Sequence, residues 1–215
     1  MKNSSKIDLT LQMEKIYGIS VVEAIKKKSN RSYTNPIYNF EDLRELLKPF
    51  LFYNTLIDNF YKNHKQLTRF ILITLEKYYG IASINFSEPL NSYSMNYTWE
   101  IEHIIPKSDS SISDPNIIGN LTLLTNQLNT KNEYSAANFQ TKKCIIDKLD
   151  NTVVKSLFLN NCFREYSTFG EKEINERTNF LLNKFNNIFY KDGDCTVIDN
   201  ITIETFIEKL NLKDC

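Results

Sequence analysis

One stretch of this 215-residue chain abandons the helical period that governs the rest, and that stretch limits the folds open to it. From Trp99 to Ile105 the run WEIEHII is dominated by β-branched and aromatic residues, and Pro106 follows it. After the polar loop KSDSSISDPN and the turn signal Gly119-Asn120, LTLLT at 121–125 repeats the pattern. Two such runs read as short strands, and because proline cannot donate a ladder hydrogen bond the first should stop at Pro106. Asn126 is placed to cap a short helix directly after the second. Helices on both sides of one β-β-α element predict an α+β fold, mainly α-helical, with helical N- and C-terminal parts around the embedded core.

The flanks carry that helical signal as apolar residues at three- and four-residue spacings. LTLQMEKIYG and ISVVEAIKKK come first, NPIYNFEDLRELL has Asn39 as its N-cap, and LTRFILITLEKYYG ends at Gly80 in the manner of a helix C-cap. Leu67, Phe70, Ile71, Thr74 and Tyr78 share one face, which should pack in the core. Residues 81–98 turn to Ser, Asn, Pro and Tyr and read as a loop. Beyond Ser135 the period returns in NFQTKKCIIDKL, VVKSLFLNNCF and EKEINERTNFLLNKFNNIFY, whose Ile174, Phe180, Leu181, Phe185, Ile188 and Phe189 form a stripe. TVIDNITIETFIEKLNL suggests a small strand followed by a helix. The chain thus divides into an N-terminal helical region (1–64), a central domain (65–190) with its β-β-α core near 97–145, and a C-terminal extension (191–215).

Charge excludes one class of partner-binding. The 26 basic and 26 acidic residues cancel, so the protein does not coat nucleic acid by positive charge alone. The distribution is uneven, however: residues 1–80 hold 13 Lys/Arg against 8 Asp/Glu, and residues 81–135 hold 2 against 6. An acidic centre beside a basic flank suits a cation site that must meet a polyanion. Cys144, Cys162, Cys195 and Cys215 are scattered, without a Cys-x-x-Cys pair and with only His64 and His103 to join them, so a structural zinc site is not expected. A charged-then-apolar leader is missing at the N-terminus, and no apolar run would span a bilayer. A cytoplasmic protein with reduced thiols is the resulting expectation.

The chemistry-bearing residues gather on the β-β-α element. Glu102-His103, Asn120, Asn129 and Lys142 lie along one strand, loop, strand and helix path. An imidazole, a carboxylate and an amide oxygen that converge can hold one divalent cation beside a general base, a combination that cleaves phosphodiesters. A phosphodiester resists attack because its oxygens are negative, so a hard cation must neutralise the developing charge. Mg²⁺ prefers oxygen ligands and keeps several waters, which one carboxylate and one amide allow. The attacking water must also lose a proton, and neutral histidine accepts it near pH 7. Strand side chains alternate between faces, so Glu102 and His103 can reach one phosphate only if the strand twists or ends there. Asn126 and Asn132 compete with Asn129 on residue type alone. His64 reads as a solvated residue between two helices and Arg177 as a buried salt-bridge partner.

Glu102-His103-Ile104-Ile105-Pro106, then Gly119-Asn120-Leu121-Thr122-Leu123-Leu124, Asn129 and Phe139-x-x-Lys142 resemble an HNH nuclease of the His-Me finger superfamily, with its ββα-metal core. More narrowly the chain resembles the C-terminal nuclease domain of GmrSD-type modification-dependent restriction enzymes, over roughly residues 65–190, with Ile174 and Arg177 matching a later I-x-x-R helix. The resemblance implies His103 as general base, Glu102 and Asn129 as metal ligands, and Asn120 as the residue that braces the loop and orients the histidine. Lys142, with Lys143 and Lys131 competing for the role, would contact a phosphate or support the site. The nine-residue step from Asn120 to Asn129 also matches the HNH domain of CRISPR effector nucleases.

The function this implies is a divalent-metal-dependent DNA endonuclease using Mg²⁺ or Mn²⁺ and leaving 5′-phosphate and 3′-hydroxyl ends. An RNA-directed nuclease or toxin, or an inactive HNH-like nucleic-acid-binding module, are the alternatives. The chain carries no Gly-x-x-x-x-Gly-Lys-Ser/Thr phosphate loop and no helix-turn-helix or zinc-finger pattern. The expectation is therefore the nuclease component of a bacterial anti-phage defence or restriction system, whose partner is a regulatory ATPase or target-recognition subunit and which has no membrane association.

Overall fold

A computed structural model describes residues 9–28, 59–80, 84–91, 97–150 and 152–189. It is mostly helical, with one two-stranded sheet. The helix proposed with Asn39 as its cap and the strand and helix of the C-terminal extension lie outside the described residues.

Helices α1 (Leu9–Tyr17) and α2 (Ile19–Lys28) pack on α4 (Lys65–Tyr79), which follows the single turn α3 (Phe60–Asn63). The apolar face read from the sequence underestimates α4. Every residue from Leu67 to Lys77 is buried, while Tyr78 is half-buried, so this helix is the axis of the molecule. Tyr17 fixes α1 against it, with its hydroxyl 2.9 Å from Thr74 Oγ1 and its ring 4.6 Å from that of Phe70. Gly80 ends α4 with extended backbone (φ −76°), not the left-handed turn that its glycine suggested. The glycine is required for space, since a Cβ there would sit 2.3 Å from the Glu76 carbonyl oxygen.

The sheet pairs β1 (Trp99–His103) with β2 (Leu121–Thr125), antiparallel, in a register that sets Trp99 opposite Thr125 and His103 opposite Leu121. The first strand stops two residues earlier than its β-branched run suggested. Asn120 explains this: its backbone carbonyl accepts from Ile104 N (2.8 Å) and its side-chain Oδ1 from Ile105 N (2.8 Å), so Ile104 and Ile105 are spent on one residue, not on a ladder.

After β2 come two single turns, α5 (Asn126–Asn129) and α6 (Asn132–Ser135), then α7 (Phe139–Asp147). Thr125, not Asn126, occupies the cap position of α5, because the Asn126 side chain is drawn away to Glu100. Asn138 caps α7 by accepting from Thr141 N at 2.9 Å. The VVKSLFLNNCF segment is broken at Leu157 into α8 (Thr152–Ser156) and α9 (Phe158–Arg164), and the start of α9 is held by the Glu76 carboxylate, which accepts from Phe158 N and Leu159 N. The long α10 (Glu171–Phe189) buries Ile174, Leu181, Phe185 and Ile188. Phe180, expected in the same stripe, is 42% exposed; at helical pitch it falls on the outer edge of the face.

Gly119 and Asn120 form a short 3₁₀ turn (Ile118–Asn120) against α10. A Cβ on Gly119 would lie 2.0 Å from the Ile174 carbonyl oxygen, and its N–H donates to Thr178 Oγ1 at 3.0 Å. Arg177, fully buried on α10, donates to the carbonyls of Gly119 (2.6 Å), Leu121 (2.8 Å) and Leu159 (3.1 Å). Burial of this arginine was expected, but among the described residues it makes no salt bridge; carbonyl dipoles take the place of a carboxylate. The effect is to clamp the β2 entrance onto the helical body.

Candidate active site

The end of β1 opens into a cleft of about 590 Å³, whose walls include Glu100, Glu102, His103, Asn129, Tyr61, Lys65 and Lys107. All five residues of β1 line the cleft, so Glu102 and His103 border it together although strand alternation turns their side chains to opposite faces.

The His103 ring is 6% exposed. Its Nε2 lies 3.3 Å from Asn116 Oδ1, and its ring centroid 5.5 Å from that of Tyr61. Asn116 is itself held: its Nδ2 donates to Asn59 Oδ1 (3.1 Å), its backbone N to Asp114 Oδ1 (2.8 Å), and its carbonyl accepts from Tyr61 N (3.0 Å). With Nδ2 spent, Oδ1 faces the imidazole as an acceptor, so Nε2 carries the proton and Nδ1 is the basic nitrogen. Burial, helped by the nearby Lys107 ammonium, pushes the imidazole down to about 4, against the Asn116 hydrogen bond. The ring is neutral at pH 7, the form a general base requires.

Glu102 is 8% exposed and its Oε1 accepts from Lys142 Nζ at 2.6 Å. The same ammonium donates to the His103 carbonyl at 2.5 Å and lies 5.1 Å from the Tyr134 ring centroid. Lys142 has no solvent exposure, so it cannot meet a phosphate, and of its two anticipated roles it fills the supporting one. It ties α7 to the last two residues of β1. Burial pushes the Glu102 carboxyl above its ordinary value in spite of Lys142, and pushes the Lys142 ammonium down in spite of Glu102.

Asn129 shares the cleft, but its Nδ2 donates to Glu100 Oε2 at 3.0 Å, while Asn126 Nδ2 donates to Glu100 Oε1 at 2.8 Å. Glu100 precedes Glu102 by two residues and so lies on the same strand face. It fixes the amide of Asn129 with the nitrogen occupied, which leaves Oδ1 as the free oxygen donor. Asn120 is fully buried: Nδ2 donates to the carbonyls of Ile105 and Pro115, both at 3.0 Å. It braces the loop, while the residue touching the imidazole is Asn116. Lys131 is exposed on the cap of α6 and lies outside the cleft wall, so the structure does not bring it to the site. His64 is half-buried between α3 and α4, its ring edge against Phe60.

The family model for GmrSD restriction endonucleases, C-terminal domain, matches residues 52–184, more than half of the chain. The chain belongs to this family. It is accordingly a nuclease domain of the restriction-endonuclease type. No curated protein and no solved structure matches it. No helix among the described residues of this GmrSD-type domain is long and apolar enough to cross a membrane.

The donor set discriminates between metals. Among the described residues no three His, Cys, Asp or Glu side chains come together to hold an ion, which rules against a zinc cage there. One carboxylate oxygen of Glu102 beyond the one on Lys142, and the amide oxygen of Asn129, are hard donors lining one open cleft; they fit a cation that keeps most of its waters.

Proposed function

We propose that this GmrSD-type domain is a divalent-metal-dependent endonuclease that hydrolyses phosphodiester bonds of DNA, with His103 as general base and Glu102 and Asn129 as metal ligands. One observation carries the reading: Glu102, His103 and Asn129, which between them carry a carboxylate, an imidazole and an amide, line a single cleft. Mg²⁺ or Mn²⁺ bound there would neutralise charge on the phosphate and on the leaving 3′ oxygen. His103 takes a proton from water at Nδ1 while Asn116 holds Nε2. Lys142 keeps the Glu102 carboxylate and the His103 backbone in fixed relation, and Asn120 fixes the loop that follows. The same proposal places the domain in a bacterial defence or restriction system, with a regulatory ATPase or target-recognition subunit as partner; the support for this is the restriction activity that names the family.

Supercoiled plasmid incubated with purified protein tests this. Nicked or linear product with Mg²⁺ or Mn²⁺, and none with EDTA, is the expected outcome. Equal cutting in EDTA would remove the metal from the mechanism. Intact plasmid alongside degraded RNA would favour the RNA-directed alternative.

A further inference from the structure

We propose that the DNA strand on one side of the scissile phosphate runs across a lysine-lined hollow in which Lys107, Lys65 and Lys62 hold its phosphates. This rests on the nuclease reading above and adds the route of the substrate to it. The cleft has three cations in its wall, Lys65, Arg69 and Lys107. Arg69 is already committed: its guanidinium donates to the carbonyls of Trp99 (2.8 Å) and Phe86 (2.6 Å) and stacks over Tyr97 at 3.9 Å. Lys65 and Lys107 are exposed, and among the described residues neither is in an ion pair.

These same two lysines, with Tyr61, also line a second hollow of about 510 Å³, which adds Lys62, Asn59, Pro115 and Asn116. The two spaces adjoin through these shared walls, and among the described residues the lining of the second holds three lysines and no carboxylate. Asp114, the acid next to it, accepts from the backbone amides of Asn59 (2.6 Å) and Asn116 (2.8 Å), which fix its position and leave one negative charge beside three ammonium groups. The rest of the cleft's lining, which includes Asn129, Ser135, Ala136 and Glu100, adds no further cation among the described residues. A polyanion leaving the Glu102–His103 corner therefore finds favourable charge on the lysine side, where Lys107 also lies 5.6 Å from the Tyr61 ring centroid.

Phosphate contacts of this kind are read by salt dependence. Binding of a fluorescent DNA duplex by the full chain is measured in EDTA over a salt series, for wild type, for K62A/K65A/K107A, and for a K148A/K172A control on exposed lysines elsewhere. Each lost contact should lower the slope of log affinity against log salt by about 0.9, so the triple variant should lose roughly 2–3 while the control is unchanged. K62A/K65A, which leaves Lys107 beside His103 in place, should raise KM for plasmid cleavage at least 5-fold with kcat retained. A wild type that cuts DNA while both variants keep its slope, affinity and KM would overturn the lysine route and leave the nuclease reading standing. A wild type that never cuts DNA, with a triple variant that does lose slope, would overturn the nuclease reading and keep the hollow as a DNA surface.

Discussion

Two buried cations grip the same end of the hairpin, one on each strand, and they do different work. Arg177 meets only backbone carbonyls and pins the Gly119–Leu121 entrance of β2 to α10. Lys142 meets a carboxylate and a carbonyl, both at the exit of β1, where Glu102 and His103 face the cleft. The first region is a frame whose partners are all main chain; the second is a site whose partners carry the chemistry. The contrast teaches that burial of charge alone does not identify function here, and that the identity of the partner does.

The comparison breaks if the two cations prove interchangeable. Arg177→Met should be the more damaging to stability: three buried carbonyls lose their donor at about 1–3 kcal/mol each, a loss of roughly 3–9 kcal/mol in thermal or urea unfolding. Cleavage per folded molecule should be retained. Lys142→Met leaves the Glu102 carboxylate buried without its partner, at a cost of roughly 3–5 kcal/mol, and should also lower cleavage per folded molecule. Equal activity in the two folded variants would erase the distinction between frame and site.

A pH series sharpens the same contrast from the site's side. The folded-state pKa of His103, depressed to about 4, means that between pH 6.5 and 4 the unfolded chain takes up a proton that the folded chain refuses. Stability should therefore fall as pH drops through that window, by no more than about 3 kcal/mol. Glu102, held above its ordinary value, works in the opposite sense, losing stability as pH rises through its own range. His103→Asn isolates the histidine: its unfolding curves should lose the acid-side decline, and an unchanged decline would mean that the imidazole is not buried as described. The smallest effect belongs to the frame, where Gly119→Ala must push the Ile174 carbonyl aside, at a cost on the order of 1–3 kcal/mol, with cleavage per folded molecule unchanged.

What the sequence made legible follows the same division. The β-rich runs, the helical flanks and the acid-histidine pair stand out because periodicity and rare residue types are local signals. Asn116 and Lys107 carry no such signal: they are ordinary polar residues whose importance comes from what the fold sets beside them. Lys142 could be tied to the site by the F-x-x-K pattern, but a lysine on an amphipathic helix does not announce that it is sealed from water. The early end of β1 was equally hidden, since it depends on Asn120 reaching back across the loop to Ile105. Glu100 had a recoverable signal, because it stands two residues before Glu102 and strand alternation puts both on one face.

The most direct test is the rate of DNA cleavage by purified His103→Ala in Mg²⁺, on protein whose melting curve matches wild type at pH 7.5. Loss of a general base predicts a fall of about 10²–10⁴-fold in kcat with DNA affinity retained. A wild-type rate from that folded variant would contradict the assignment of His103 as the base and, with it, the account of why Glu102 and His103 share one cleft.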